Sequence, residues 1–282
     1  MYVWKQLSPS VPHDLPFGLA CGMTDTGPVR SSNEDNFLID PAIGLIAVAD
    51  GMGGHECGEI ASSDALNWLV HFLRAKSLGT TKITNFKPSP FDPALLDPEA
   101  NWSAEDRACM ITLHDALEFT NQRIYQTNVD QRRTTGAGMG TTLTGCWQLR
   151  TGGPLLVFHV GDTRLYRFRD GCLTQLTRDH TVYQQALDAG LHHRLPSRNL
   201  LMQAVGPAGD VRPDLFIAAT EPGDLLLMCS DGLHGSSSNA QLCAMLSTSS
   251  GLPLRDRCAR MIDLAKRDGS RDNITVLLIE CK

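Results

Sequence analysis

The chain has 282 residues, enough for one large domain or two small ones. Hydrophobic residues make up 42% and charged residues 20%, so the chain can bury a core and is not of the disordered class. A formal net charge of -6 without a basic run or stripe speaks against a general nucleic-acid binder. No apolar run reaches the length of a bilayer-crossing helix, and Met1 to Pro16 has no signal-peptide layout. The nine cysteines are scattered and form no Cys-x-x-Cys pair, which disfavours structural zinc and fits reduced thiols filling a core in the cytosol.

In chain order, Phe17 to Thr24 reads as a first strand and Asp25-Thr26-Gly27-Pro28 as a turn. The apolar end of Val29 to Ile39 gives a second strand. Leu45-Ile46-Ala47-Val48-Ala49 reads as a buried strand that ends at Asp50 and a glycine cluster, Gly51-Met52-Gly53-Gly54, followed by His55. From His55 to Lys76, Ile60, Ala61, Ala65, Leu66, Leu69, Val70 and Leu73 recur at helical steps. Residues 77–103, rich in proline and threonine, read as a long loop, and Ala104 to Thr127 as a second helix.

The second half is β-rich. Gly138 to Trp147 and Leu155 to Asp162 are strands, Arg164 to Arg169 and Leu173 to Leu176 form a hairpin about Asp170-Gly171, and Thr181 to Ala189 is a short helix closed by Gly190. Strands at Phe216 to Thr220 and Asp224 to Cys229 precede helices at Asn239 to Leu246 and Leu254 to Asp268. Ile274 to Ile279 is the last strand. No repeat and no internal boundary divides the chain, so 1–282 is expected to form one domain.

Four acidic residues share one context. Asp50, Asp162 and Asp231 each end an apolar strand, Asp272 precedes one, and Glu34-Asp35 stands before another. Strands that brought these ends together would accumulate like charges, which is unfavourable unless cations neutralise them. The donors are all oxygens, which select magnesium or manganese over zinc or copper. Several carboxylates, one of them bridging, suit a two-metal hydrolytic centre. Arg30, four residues before Glu34, suits bidentate phosphate binding. Each feature alone has a plainer reading. An isolated Asp-Gly is ordinarily a turn, Arg30 could be a surface ion pair, His159 inside an apolar strand is a satisfied core histidine, and His55 could cap a helix. Gly51-Met52-Gly53-Gly54 lacks the spacing of a nucleotide-binding loop.

The ordered set Gly27-Pro28-Val29-Arg30-Ser31-Ser32-Asn33-Glu34-Asp35, Asp50-Gly51-Met52-Gly53-Gly54-His55, Gly140-Thr141-Thr142, His159-Val160-Gly161-Asp162-Thr163-Arg164, Ser230-Asp231-Gly232 and Arg271-Asp272-Asn273-Ile274-Thr275 resembles the metal-dependent PP2C (PPM) serine/threonine protein phosphatases in their bacterial form. The resemblance runs from about Gly18 to Glu280. It implies an α+β fold, a four-layer α-β-β-α sandwich of two antiparallel sheets flanked by helices. It implies two Mn2+ or Mg2+ ions bridged by Asp50, with the Gly51 carbonyl on one and Asp231 and Asp272 on the other. Glu34 would act through water, Asp35 would orient that shell, Arg30 would bind substrate phosphate, and Asp162 with Asp231 would hold a weaker third ion. Residues 177–206 resemble the flap beside the active site.

The chain departs from the family pattern at four places. Met52 stands where the animal enzymes have a histidine proposed as general acid. The flap carries His192-His193-Arg194-Leu195-Pro196, Asp231-Gly232 is followed by Leu233-His234-Gly235-Ser236, and the 77–103 loop is long. The expected function is hydrolysis of phosphoserine and phosphothreonine in proteins by direct in-line attack of a metal-bridging hydroxide, opposing a serine/threonine kinase. The enzyme is expected to be a cytoplasmic monomer without nucleic-acid or membrane partners. The rivals are a catalytically dead phosphatase-like binding module, which predicts lost carboxylates, and a metal-dependent nuclease or small-molecule phosphohydrolase.

Overall fold

The computed structural model describes residues 8–53, 57–79, 83, 86–96, 102–131 and 138–282. The expectation for His55, and parts of the 77–103 loop, lie outside them.

One sheet contains β1 (His13–Leu15), β2 (Gly18–Asp25), β12 (Ile274–Cys281), β11 (Leu225–Cys229), β8 (Arg164–Arg169) and β9 (Cys172–Gln175), in that order. The other runs β10 (Asp214–Ala218), β7 (Leu155–Val160), β6 (Leu143–Trp147), β4 (Leu45–Met52) and β3 (Asp35–Asp40), with β5 (Gly140–Thr141) paired to the end of β4. The pairings are antiparallel throughout.

Three apolar clusters give four layers. Leu45, Ala47 and Ala49 of β4 pack with α1 (Cys57–Leu78) and α2 (Ala104–Asp130). Ile46 and Val48, the alternate residues, meet Phe37, Ile39, Leu226, Met228, Leu277 and Ile279 between the sheets. Leu227, Val276 and Leu278 face Leu242 and Leu246 of α5 (Asn239–Thr248) and Cys258 and Met261 of α6 (Leu254–Arg267). A strand buried on both faces reads as an unbroken apolar run, which is why β4, β7 and β11 stood out in the sequence. The α-β-β-α sandwich expected from the resemblance is the observed architecture.

The differences are local. The edge strand β1 is only three residues long and carries no periodic signal. β10 begins at Asp214 rather than Phe216, because its register opposite His159 to Leu155 is set by the partner strand. Asp231 opens a helical turn, α4 (Asp231–His234), where its charge lies at the favourable N-terminal end. The short α3 (Val182–Asp188) is capped by the Thr181 hydroxyl, which accepts from the Gln184 amide. The long loop contains a 3-10 turn at Pro93–Leu95.

Candidate metal and phosphate site

The end of β4 opens into a cavity of about 700 Å³ at the rim of the layer between the sheets. Glu34, Asp50, Asp162, Asp231 and Asp272 line it, and among the described residues Arg30 is the one cationic side chain in its wall. The fold therefore brings together five of the predicted acidic residues from five separate stretches of sequence.

Hydrogen bonds hold the Asp50 and Glu34 backbones in place. The Asp50 amide donates to the Thr142 hydroxyl at 3.0 Å, while the Thr141 hydroxyl and Thr142 amide both donate to the Asp50 carbonyl. This is the structural work of Gly140-Thr141-Thr142. The Gly51 amide donates to the Glu34 carbonyl, and a Cβ on Gly51 would collide with the carbonyls of Gly58 and Glu34, so glycine permits this approach. Asn273 Oδ1 accepts from the Glu34 amide, and its Nδ2 donates to the carbonyls of Thr26 and Ser32. One asparagine thus pins the loop carrying Arg30 and Glu34 onto the strand start beside Asp272.

Arg30 donates to Asp272 Oδ2 at 2.6 Å and is half exposed at the rim. Asp272 Oδ1 accepts from the Asn273 amide. Asp35 does not line the cavity. It is buried beneath it and accepts from the hydroxyls of Ser230 (2.6 Å) and Thr275 (2.7 Å), joining β3 to the other sheet immediately before Asp231.

Proton affinities follow from this crowding. Asp50 is raised well above the usual carboxylate range, first by burial and then by the charges of Asp35, Asp231, Asp162 and Asp272. Asp162 is pushed up to about 7 by burial and then by Asp231, and Asp231 to about 6 by burial and Asp272, partly offset by Arg30. Asp35 is pushed up to about 7, mainly by burial. Repulsion among buried oxygens is what a bound cation relieves. Among the described residues no three His, Cys, Asp or Glu side chains are drawn together as a closed coordination shell. The all-oxygen donor set and its raised proton affinities nevertheless fit hard divalent ions.

In the sequence His234 stands out only as a departure from the family motif after Asp231-Gly232. It is buried, and its Nε2 lies 2.9 Å from the Asp162 carbonyl, which can only accept, so Nε2 carries the proton. Burial lowers its pKa to about 3, and the ring is neutral. This hydrogen bond ties the end of β7 to α4, and hence Asp162 to the turn that starts with Asp231. No pattern in the sequence pairs positions so far apart. His159 is the core histidine expected. Its Nε2 donates to the Arg178 carbonyl, its Nδ1 accepts from Thr144, and burial lowers its pKa to about 4. Asn199 and Leu201, from the 177–206 segment, also line the cavity.

The fold is that of the bacterial PPM phosphatases. The PPM Ser-Thr phosphatase MsPP of Mycobacterium smegmatis, solved with cacodylate, superposes with a TM-score of 0.72 at 32% identity over 93% of this chain and 98% of that one. The catalytic domain of PstP, solved with two manganese ions, gives 0.70 at 30% identity, covering 93% and 97%. PhpP of Streptococcus pneumoniae is 31% identical over 265 residues, 91% of this chain and 95% of that protein. PstP of Mycobacterium tuberculosis is 32% identical over 262 residues, but this chain spans only 44% of its length. The sequence model of Protein phosphatase 2C matches residues 29–278, and the chain belongs to that family of serine/threonine phosphatases.

Among the described residues no helix is long and apolar enough to cross a membrane.

Proposed function

We propose that residues 1–282 form a single phosphatase domain acting on phosphoserine and phosphothreonine in cytoplasmic proteins, as a monomer opposing a serine/threonine kinase. The observation that carries this reading is one cavity with five carboxylates and a single arginine at its rim. Asp50, Asp231, Asp272 and the Gly51 carbonyl would hold two manganese or magnesium ions, with Glu34 acting through water and Asp162 with Asp231 serving a weaker third position. Such ions, when bound, neutralise the carboxylates, acidify water and stabilise negative charge on phosphorus oxygens.

The chain's own residues supply the rest. Asp35 would hold Ser230, and through it the start of α4, in place. Arg30, released from Asp272 once that carboxylate is otherwise engaged, would turn its guanidinium to two phosphate oxygens and orient phosphorus for in-line displacement. Met52 has no proton to give a departing serine or threonine oxygen, and in this reading that proton would enter from the Asp162 side of the cavity. The retained carboxylates argue against a dead binding module.

The test is hydrolysis of a phosphothreonine peptide by purified protein. Activity is expected with added manganese or magnesium and lost in chelator, and Asp50→Asn and Asp272→Asn should each abolish it. Full turnover in exhaustively chelated protein would overturn the proposal.

A further inference from the structure

Beside the catalytic cavity lies a second hollow, a groove of about 440 Å³. Met52 and Leu201 belong to the walls of both, so the two form one continuous surface. Its walls add Met202, Ala204, Pro207 and Ala208, together with Gln203, whose amide is taken up by the Arg212 backbone, and Asp210 and Arg212, whose opposite charges give no net preference. Met202 is 52% exposed, and the neighbouring Leu191 and Leu200 are also exposed apolar side chains of the same segment. Apolar surface held open beside a polar site marks a place where something apolar docks.

The register of β4 relates the groove to the chemistry. Ile46 and Val48 face the layer between the sheets. Asp50 and Met52 continue that alternation, so Met52 stands on the face of Asp50, two residues and about 7 Å further along. Gly140, opposite Met52 in β5, keeps this floor shallow, since a Cβ there would strike the Pro207 ring and lie 3.0 Å from Met52 Cε. An extended substrate advances at the same pace, roughly 3.3–3.6 Å per residue. A substrate running alongside β4 with its phosphorylated residue over Asp50 would turn the side chain two positions away toward Met52, Leu201 and Pro207. The pliant methionines can close around an aliphatic group of variable shape.

We propose that this groove selects phosphoproteins with a large apolar side chain two positions from the phosphoserine or phosphothreonine. The inference rests on the phosphatase reading above and adds the substrate chemistry that the site prefers. The occupant is the substrate's own chain, because the groove opens into the cavity where the phosphate must lie.

The experiment compares phosphothreonine peptides that differ only in leucine or asparagine at the second position on either side, assayed with manganese and with nitrophenyl phosphate as control. Wild type should favour a leucine peptide by roughly tenfold or more in kcat/KM, carried by KM, as for an aliphatic group entering an apolar pocket. Met202→Glu and Ala208→Glu, whose folding is verified by thermal denaturation, should each erase the preference and leave nitrophenyl phosphate turnover unchanged. Equal kcat/KM for leucine and asparagine peptides in wild type, or a preference surviving both variants, overturns the proposal while the phosphatase reading stands. An unphosphorylated leucine peptide that inhibits as tightly as the phosphopeptide binds would assign the groove to another partner and equally overturn it. Loss of turnover on every substrate, nitrophenyl phosphate included, would instead bring down the reading beneath it.

Discussion

Replacing Asp162 by asparagine should stabilise the metal-free protein at neutral pH while impairing the enzyme. Asp162 is 8% exposed and its carboxyl is pushed from 3.8 to about 7, by burial first and then by Asp231 and Asp179, opposed by a hydrogen bond from its own backbone amide and by Arg164. Below about pH 4 the carboxyl is protonated in both folded and unfolded chains, and no stability is lost. Between about pH 4 and 7 the unfolded chain ionises freely but the folded chain resists, so the metal-free wild type loses stability as pH rises. Each pH unit of that gap is worth about 1.4 kcal/mol, giving roughly 4 kcal/mol by pH 8. Asparagine has nearly the same shape and no charge to bury. At ~2–4 °C per kcal/mol for a chain of this size, the variant should melt on the order of 10 °C higher than wild type in chelator at pH 8, and at the same temperature near pH 4. Thermal denaturation from pH 4.5 to 8, with chelator and then with manganese, measures this. The gain should shrink with manganese if the proposed ion site is filled, because a bound ion would neutralise the wild-type carboxylate. A difference that does not depend on pH, or an asparagine variant less stable than wild type at pH 8 in chelator, would refute the reasoning.

Arg30→Ala should lower kcat/KM on a phosphopeptide about tenfold or more, since charge-assisted hydrogen bonds are worth roughly 1.5–3 kcal/mol each, while manganese affinity from calorimetry stays near wild type. Asp162→Ala should lose ~10²–10⁴-fold more activity on a phosphoserine peptide than on nitrophenyl phosphate, whose leaving group needs no proton; equal losses would remove Asp162 from proton delivery. His234→Leu leaves the buried Asp162 carbonyl without its donor and should cost about 1–3 kcal/mol in thermal stability, with reduced turnover of both substrates. His234→Gln, which can still present a donor there, should recover most of both.

Much of the fold was legible because the central strands β4, β7 and β11 are short apolar runs closely followed by glycine or aspartate. The elements that sequence alone misplaced are those set by a partner: β1 exists because β2 offers an edge, and β10 starts where β7 can pair with it. The candidate ligands were legible for a different reason. Carboxylates at strand ends are a chemical signature whatever the fold, and their order matches a known family.

By itself, then, the sequence determined the donor chemistry, the alternation that buries β4 on both faces, and the family. Only the tertiary structure decided which carboxylates share the cavity and which lies beneath it. Asp35 and Asp50 are directly paired across β3 and β4, yet Ser230 and Thr275 of the opposite sheet cover Asp35 and leave Asp50 open. Tertiary structure also decided that Arg30 meets Asp272 across 242 residues, that His234 holds the Asp162 backbone, and that Met52 joins the acidic cavity to the neighbouring groove. The physical reason is the same in each case. Local sequence fixes backbone periodicity and side-chain type, whereas burial, charge pairing and cavity shape arise between segments that meet only when the two sheets pack.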